Sequence, residues 1–289
     1  MKKSIMALLV AAALLIAFVG CTPAASTEPT VTPTEIITQE PTPTPTPTPA
    51  PLPDAKSLMN AANEKMAGIT GIDVSFDAVT NIKAGDSEIV TKIGAHMLMP
   101  DITASVPEAS VESTGSFFGN ETKVSYYFSP DGKIYCDDGE TKYVTEGTIG
   151  DSGVIPDIDI SSDMVEFSDS IFAKATVSEL DGGYRIDIAL SAEDISTLAD
   201  EMKEFFEQMG IGESGFEEFS MALIIDGNGY LTKASAIAKI TAEQDGSQYT
   251  ADVAFEIVIN NPGQPVTVTP PADLDEYVEY DFGGVETEF

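Results

Sequence analysis

Residues 219–259 read FSMALIIDGNGYLTKASAIAKITAEQDGSQYTADVAFEIVI and alternate apolar with polar side chains through three runs. Alternation with a period of two is typical of a β-strand that buries one face. Two turn signals separate the runs, DGNG at 226–229 and DG at 245–246. The stretch therefore predicts three antiparallel strands joined by tight hairpins.

The middle run places a row of alanines on one face, and its neighbour brings Phe255 to the same face. Such a row either lets a helix pack closely or leaves an apolar groove unfilled. Protein interiors normally fill such space, which favours the packed alternative. If a groove remains, our candidates for its lining, some of them on a nearby helix, are Ala234, Ala236, Ala238, Phe255, Phe205, Phe206 and Met209.

Two helices are predicted. Asp54 can cap the first, because an aspartate side chain accepts hydrogen bonds from the free N–H groups of a first turn. Ser191 and Asp194 resemble a capping box that opens a second helix extending to about Gly210. The stripe predicted for the first helix consists of Leu58, Ala62, Met66 and Ile69.

Further runs of period two lie upstream of the opening stretch and predict additional hairpins. They cover residues 72–76, 89–99, 124–128, 133–136, 141–145 and 184–190. Helices that alternate with blocks of hairpins are typical of the α+β class. We expect one α+β domain over residues 54–280: a curved antiparallel sheet, shaped as a half-barrel, with two main helices packed on it.

The N-terminus has the layout of a secretory signal. Lys2 and Lys3 precede an apolar run over residues 5–19, which is short for a membrane-spanning helix. The run ends in FVGC at 18–21, which resembles the lipobox of bacterial lipoproteins. We expect residues 1–20 to be a signal peptide and Cys21 to receive the lipid that anchors the protein outside a membrane.

Residues 21–53 are dominated by proline and threonine, with PTPTPTPTP at 41–49. Proline fixes φ and removes a backbone donor, so the tract favours polyproline II and builds neither helix nor sheet. It is predicted to be a disordered stalk. Residues 281–289 are interpreted as an acidic tail after the folded domain.

The formal net charge of −34 restricts the classes of binding partner that the protein can have. Nucleic acid binding needs clustered cations, and Arg185 is the single arginine. Electrostatic docking on anionic lipid is disfavoured for the same reason, so membrane contact should come from the anchor. Charge alone names no ligand.

Cys136 shares strand parity with Ile134, which predicts a buried thiol of low reactivity. His96 is the single histidine, so the sequence lacks the residues for multi-histidine metal sites and has only one candidate base for a histidine-dependent catalytic triad. We expect no catalytic residues, no metal and no cofactor, and hence no enzyme. A pair of carboxylates acting on sugars is the enzymatic alternative that remains.

An alternation of acidic and hydroxyl residues at 157–163 is reminiscent of a calcium loop. Its members are Asp157, Asp159, Ser161 and Asp163. A calcium loop has glycine at the position of Ser162 and an acidic residue at the position of Ser168, and this sequence has neither. We interpret it as a solvated loop.

The layout resembles the LppX and LprG type of lipoprotein, whose fold is similar to that of the carrier LolA. The resemblance lies in the early helix, the hairpin YYFSPDGKIY at 126–135, the helix after Ser191 and the tail VTVTPPAD at 266–273. It implies a curved sheet around helices, a cavity for lipid or acyl chains, and a Gram-positive lipoprotein. The alternative is a surface structural or interaction module with no internal ligand.

Overall fold

The computed structural model describes residues 51–85, 87–117, 120–147, 149, 169–197, 215–244 and 247–280. These residues form one large, curved, unclosed sheet of twelve strands with few helices. The predicted signal peptide, Cys21, the predicted stalk up to residue 50 and the tail from 281 lie outside the described residues. The domain boundaries at these points therefore stay predictions.

The first six strands form an antiparallel meander. The turn between the fourth and fifth closes with a hydrogen bond from Gly132 N to Ser129 O, and Gly132 has a φ of 81° that favours glycine. The strands are β1 (Ile72–Ala84), β2 (Ser87–Met99), β3 (Ala109–Phe117), β4 (Asn120–Ser129), β5 (Lys133–Asp137) and β6 (Lys142–Glu146).

The next five strands form a second antiparallel meander, and its last strand pairs with β1. Asp226 organises one hairpin, since its Oδ1 accepts from Asn228 N and Tyr230 N, each at 2.9 Å. Pairing of the last strand with the first joins the two meanders into one sheet. The strands are β7 (Ala175–Leu180), β8 (Gly183–Ser191), β9 (Gly215–Ile225), β10 (Leu231–Gln244) and β11 (Ser247–Ile259).

The prediction of a wholly antiparallel sheet is wrong at one edge. After a 3-10 helix (Leu274–Glu276), β12 (Val278–Glu279) pairs with β6 in parallel. Lys142, the first residue of β6, forms ion pairs with Asp273 and Glu276. The tail is thus held at the start of β6 and then runs beside it in the same direction.

Helix α1 (Ala55–Met66) packs on one face of the sheet, which we name the inner face; the opposite one is the outer face. Asp54 caps the helix as predicted, because its Oδ1 accepts from Ser57 N at 2.9 Å. The buried stripe differs by one position from the prediction, since Met59 rather than Leu58 is fully buried.

The prediction of two main helices is confirmed for α1 alone. Besides α1 the described residues contain two short helices, α2 (Asp169–Phe172) and α3 (Ala192–Thr197). The capping box of α3 forms as predicted: Ser191 N donates to Asp194 Oδ2 at 3.0 Å, and Asp194 N donates to Ser191 Oγ at 3.2 Å. The continuation of this predicted helix to Gly210 lies outside the described residues.

Two apolar clusters lie on the inner face. The α1 cluster joins α1 to β1 and β8–β11, and its most enclosed members are Met59, Ala62, Ile186, Ile188 and Leu223. The β2–β5 cluster joins the other meander to the start of β1 and consists of Ile72, Met97, Met99, Ala109, Val111, Phe128 and Ile134. Val74 and Ile102 contact both clusters.

None of the helices in the described part of the chain is long and apolar enough to cross a bilayer.

Candidate functional site

Charge is segregated between the two faces of the sheet. Among the described strand residues that the register pairs, every charged one lies on the outer face except Glu179, which is exposed near the end of the edge strand β7. Glu217, at the register shift of β9, contacts the outer-face Lys239 at 2.7 Å. Outer lysines pair with acids there, as Lys233 does with Glu256 at 2.6 Å. Desolvating a charge is costly, which explains why the face that carries the core is uncharged.

The alanine row lies under α1. The row and Phe255 share one face of neighbouring strands, as predicted; the register pairs Ala236 with Phe255, and both are buried, at 2% and 7% exposure. Ala234 and Ala238 are half-buried and contact the same cluster. Small side chains here let the helix approach the sheet closely. The other groove candidates, Phe205, Phe206 and Met209, lie outside the described residues.

Beyond β1 the inner face is less covered. We define the half-covered strip as Phe76, Ile93, Ala95, Val124 and Tyr126, all half-buried among the described residues. The register sets Phe76, Ala95 and Val124 in one row across β1, β2 and β4, with β3 between the last two. Five apolar or aromatic side chains therefore share one partly open surface.

Strand β3 gives the half-covered strip its shape. The β3 residues in the rows of Ala95 and Ile93 are Ser113 and Gly115, whose side chains are small or absent. Larger side chains stand on either side, because Val124 follows on β4 and Ile93 precedes on β2. From this register we infer a shallow trough along β3, flanked by Ile93 and Ala95 on β2 and by Val124 and Thr122 on β4, a shape that suits an extended hydrocarbon chain.

One end of the trough is closed by the β2–β5 cluster. Val111 occupies the next inner position on β3 and is 2% exposed, with Met97 beside it on β2. Tyr126 borders this end, and its ring stacks with Phe128 at a centroid separation of 6.2 Å. An apolar chain lying along β3 would therefore meet a packed end here.

A neutral polar cluster adjoins the same end. Tyr126, Cys136 and Tyr143 stand in one row across β4, β5 and β6, which places the Cys136 thiol between the two phenols. Burial raises the pKa of Tyr126, Cys136 and Tyr143 alike. All three groups are therefore uncharged at neutral pH, and Cys136 is buried as predicted.

Two buried threonines also lie on the inner face. Thr80 and Thr91 lie directly opposite each other on β1 and β2, and each is 3% exposed. They occupy the inner positions next to Ala78 and Ile93, away from the packed end. Hydroxyl groups thus border the half-covered strip at both of its ends.

His96 lies on the outer face. Its Nε2 is 2.8 Å from Asp73 Oδ1, and the same oxygen accepts from Asn260 Nδ2 at 2.8 Å. Cys136 is on the inner face, so the sheet separates the single histidine from this thiol. The described residues also contain no cluster of three metal-ligating side chains. The acidic stretch at 157–163 lies outside them.

Solved structures similar to this chain share low sequence identity with it. LprF from Mycobacterium bovis is 12% identical with a TM-score of 0.40, over 75% of this chain and 96% of that chain. A LolA superfamily protein from Nitrosomonas europaea is 9% identical with a TM-score of 0.21, over 76% and 96%. A putative outer membrane lipoprotein-sorting protein domain from Vibrio parahaemolyticus is 11% identical with a TM-score of 0.20, over 76% and 96%.

No protein-family model and no curated protein matches the sequence. The solved structures include a member of the LolA superfamily, the group to which the sequence resemblance points. The Gram-positive assignment stays a prediction. What the chain binds has to be argued from its own side chains.

The half-covered strip could not be predicted without β3, a strand that carries only a weak sequence signal. The segment ASVESTGSF at 109–117 contains few large apolar residues, so its alternation is weak. The signal that could have found it is the alternation Ala109, Val111, Ser113 and Gly115, in which one apolar side chain stands among small ones. Such a pattern fits a strand whose inner side leaves space.

Proposed function

We propose that the protein is an extracytoplasmic lipoprotein whose folded domain binds an apolar ligand, such as a lipid or an acyl chain, along the half-covered strip. The observation that supports it best is the half-covered strip itself, an uncharged and mainly apolar part of the inner face that stays partly open while the α1 cluster and the β2–β5 cluster on either side are packed. A monomeric domain normally keeps such side chains covered, and partly open apolar surfaces on proteins often mark binding sites.

Hydrocarbon would gain enough from this surface to bind. Each buried CH₂ contributes roughly 0.8 kcal/mol, so about ten of them would contribute on the order of 8 kcal/mol before ordering costs are subtracted. Non-directional burial of this kind needs no catalytic group and no charged partner. It therefore agrees with the uncharged inner face.

The membrane location rests on the N-terminal sequence. Cys21 would carry the lipid anchor, and residues 21–53 would hold the domain away from the bilayer on a stalk. In this arrangement the protein would work at the outer face of a cell membrane as a carrier or sensor of its ligand.

A second candidate function is an interaction module without an internal ligand. The observation in its favour is on the outer face, where Ile237 is 60% exposed and Val79 is 38% exposed. The register brings Val79 and Ile237 to either side of Ala254. Exposed apolar side chains in adjacent strands can form part of a protein interface.

Native mass spectrometry distinguishes the two functions. The full chain with Cys21→Ser, which removes the anchor's own acyl chains, is incubated with a bacterial lipid extract. We expect a lipid-sized mass bound at one-to-one stoichiometry. An apo mass throughout, from protein that is folded by circular dichroism, would contradict the carrier proposal and favour the interaction module.

A matched pair of variants locates the ligand. Ser113→Phe fills the trough on β3 and should abolish the bound mass. Thr114→Phe adds the same ring on the outer face, where the Thr114 side chain is exposed. Thr114→Phe should retain the ligand. Equal binding by both variants would place the ligand elsewhere.

A further inference from the structure

We propose that the ligand has an uncharged polar end, seated at Tyr126, Cys136 and Tyr143, and that the protein selects hydroxyl- or ester-bearing neutral lipids over anionic phospholipids. This inference rests on the proposed function, since it names the ligand class of the same strip. Three observations carry it: the charge segregation of the sheet, the chemistry of the polar cluster and the acidity of the whole chain.

The inner face offers no counter-charge to an anion. In the described strands the lysines and the single arginine have outer-face register, as Lys92, Lys123 and Arg185 show. The lysines of α1, Lys56 and Lys65, are exposed. A phosphate held against the inner face would therefore lose water without gaining a cation, which is strongly unfavourable.

The polar cluster suits a neutral partner. A phenol donates one hydrogen bond and accepts others, and a thiol does both weakly. Tyr126 and Tyr143 are half-buried, so their side chains are reachable from the inner face, whereas Cys136 beneath them is 1% exposed. Hydroxyl and ester groups match these donors and acceptors without a net charge to desolvate.

The cluster is continuous with the trough. Tyr126 belongs to the half-covered strip and, through the register, stands beside Val111 on β3 and Cys136 on β5. A lipid whose chain lies over Ser113 and Gly115 would bring its polar end to the Tyr126 hydroxyl. Apolar flanks and hydroxyl end thus form one site of the kind that small-molecule pockets show.

The negative charge of the whole chain also disfavours anionic lipids. A net charge of −34 produces a negative potential around the protein, and this potential repels anionic headgroups before they reach the strip. Neutral lipids are not affected by it. Selection would therefore weaken, but not vanish, as salt screens the long-range part.

The test compares two probes with the same acyl chains, dioleoylglycerol and dioleoylphosphatidylglycerol. The full chain with Cys21→Ser is titrated with each at low detergent, and bound lipid is counted after gel filtration. We expect dioleoylglycerol to bind at least about tenfold more tightly. Equal or tighter binding of the phospholipid would overturn this inference and leave the proposed function standing. Binding of neither probe would overturn both.

A charge introduced on the inner face should relax the selection. Thr122 is exposed, pairs with Gly115 and has inner-face register. Thr122→Lys should raise phosphatidylglycerol binding several-fold, whereas Thr114→Lys, with the same charge change on the outer face, should raise it little. An equal gain in both variants would mean that net charge alone selects the ligand, and it would overturn the inner-face argument.

Removal of the phenol hydroxyls tests where the polar end sits. Tyr126→Phe with Tyr143→Phe should weaken dioleoylglycerol binding by roughly tenfold, about the loss of one or two hydrogen bonds. Binding of squalene, a hydrocarbon without a polar end, should be unchanged. A similar loss for both probes would indicate damage to the strip and would overturn the assignment of the polar end.

Discussion

The two meanders of the sheet share the same alternation of apolar and polar side chains, but their inner faces are buried to different extents. Under α1, the inner side chains of β8 and β9 are sealed, with Ile186 and Leu223 both at 0% exposure. Across β1, inner side chains such as Val124 remain half-buried. Helix α1 packs on the second meander, which we call the covered half, and stabilises it. The first meander, which we call the open half, can then keep an apolar surface partly exposed. The comparison predicts that stability and binding are separable by position.

The largest expected effect tests this separation directly. Leu223→Ala leaves a cavity in the α1 cluster and should lower the free energy of unfolding by about 2–5 kcal/mol. Val124→Ala removes side-chain atoms from a half-covered position and should cost less than about 1 kcal/mol. Urea denaturation followed by circular dichroism measures both. Equal losses would show that the two halves are packed alike.

The cap of α1 gives a smaller effect on the same half. Asp54→Ala removes the acceptor for Ser57 N and should lower the midpoint of thermal unfolding by about 3 °C. Glu64→Ala, on the exposed side of the same helix, is the matched control and should leave the midpoint nearly unchanged. If both variants melt together, α1 contributes little to the stability of the covered half.

At the edge of the open half, where β12 pairs with β6, we expect a local change in hydrogen exchange. Lys142→Met removes the ion pairs that hold the tail, while the Tyr280 N–H donates to Val144 O at 2.9 Å. Hydrogen exchange at the Tyr280 amide should quicken several-fold. Lys123→Met removes an outer-face pair with Glu112 and should not change it. No difference between the variants would mean that strand pairing alone holds β12.

The smallest expected effect concerns the protonation of Asp194, which lies beside the covered half. The Lys174 ammonium, followed by hydrogen bonds from Ser191, lowers the pKa of Asp194 to about 2. Because the pKa is depressed in the folded state, the stabilisation is present above about pH 4 and is lost as the pH falls towards 2. Lys174→Met should raise this pKa, as measured by NMR titration of the carboxyl carbon. An unchanged value would exclude the ammonium as its cause.

Much of the fold was predictable because its elements carry local signals. The caps at Asp54 and Ser191 and the hairpin at 226–229 form as the sequence predicts. The register between β10 and β11 also follows from alternation, since one face of each strand is strongly apolar. These features depend on residues close together in sequence.

What could not be predicted depends on contacts between distant segments. The weakly alternating strands β3 and β7 become strands because their neighbours pair with them. The parallel pairing of β12 with β6 joins segments about 130 residues apart, and Lys142 contacts Asp273 just before β12. The candidate site shifted for the same reason: α1 covers the alanine row, and the open surface lies on β2–β4.

Photo-crosslinking tests the central claim most directly. The full chain with Cys21→Ser is irradiated with a diacylglycerol that carries a diazirine in one acyl chain, and the modified residues are identified by mass spectrometry. We predict modification at inner-face positions of β2–β4, such as Ala95 and Val124. Modification confined to the outer face, for example at Val79 and Ile237, would contradict the proposal that the half-covered strip holds the ligand.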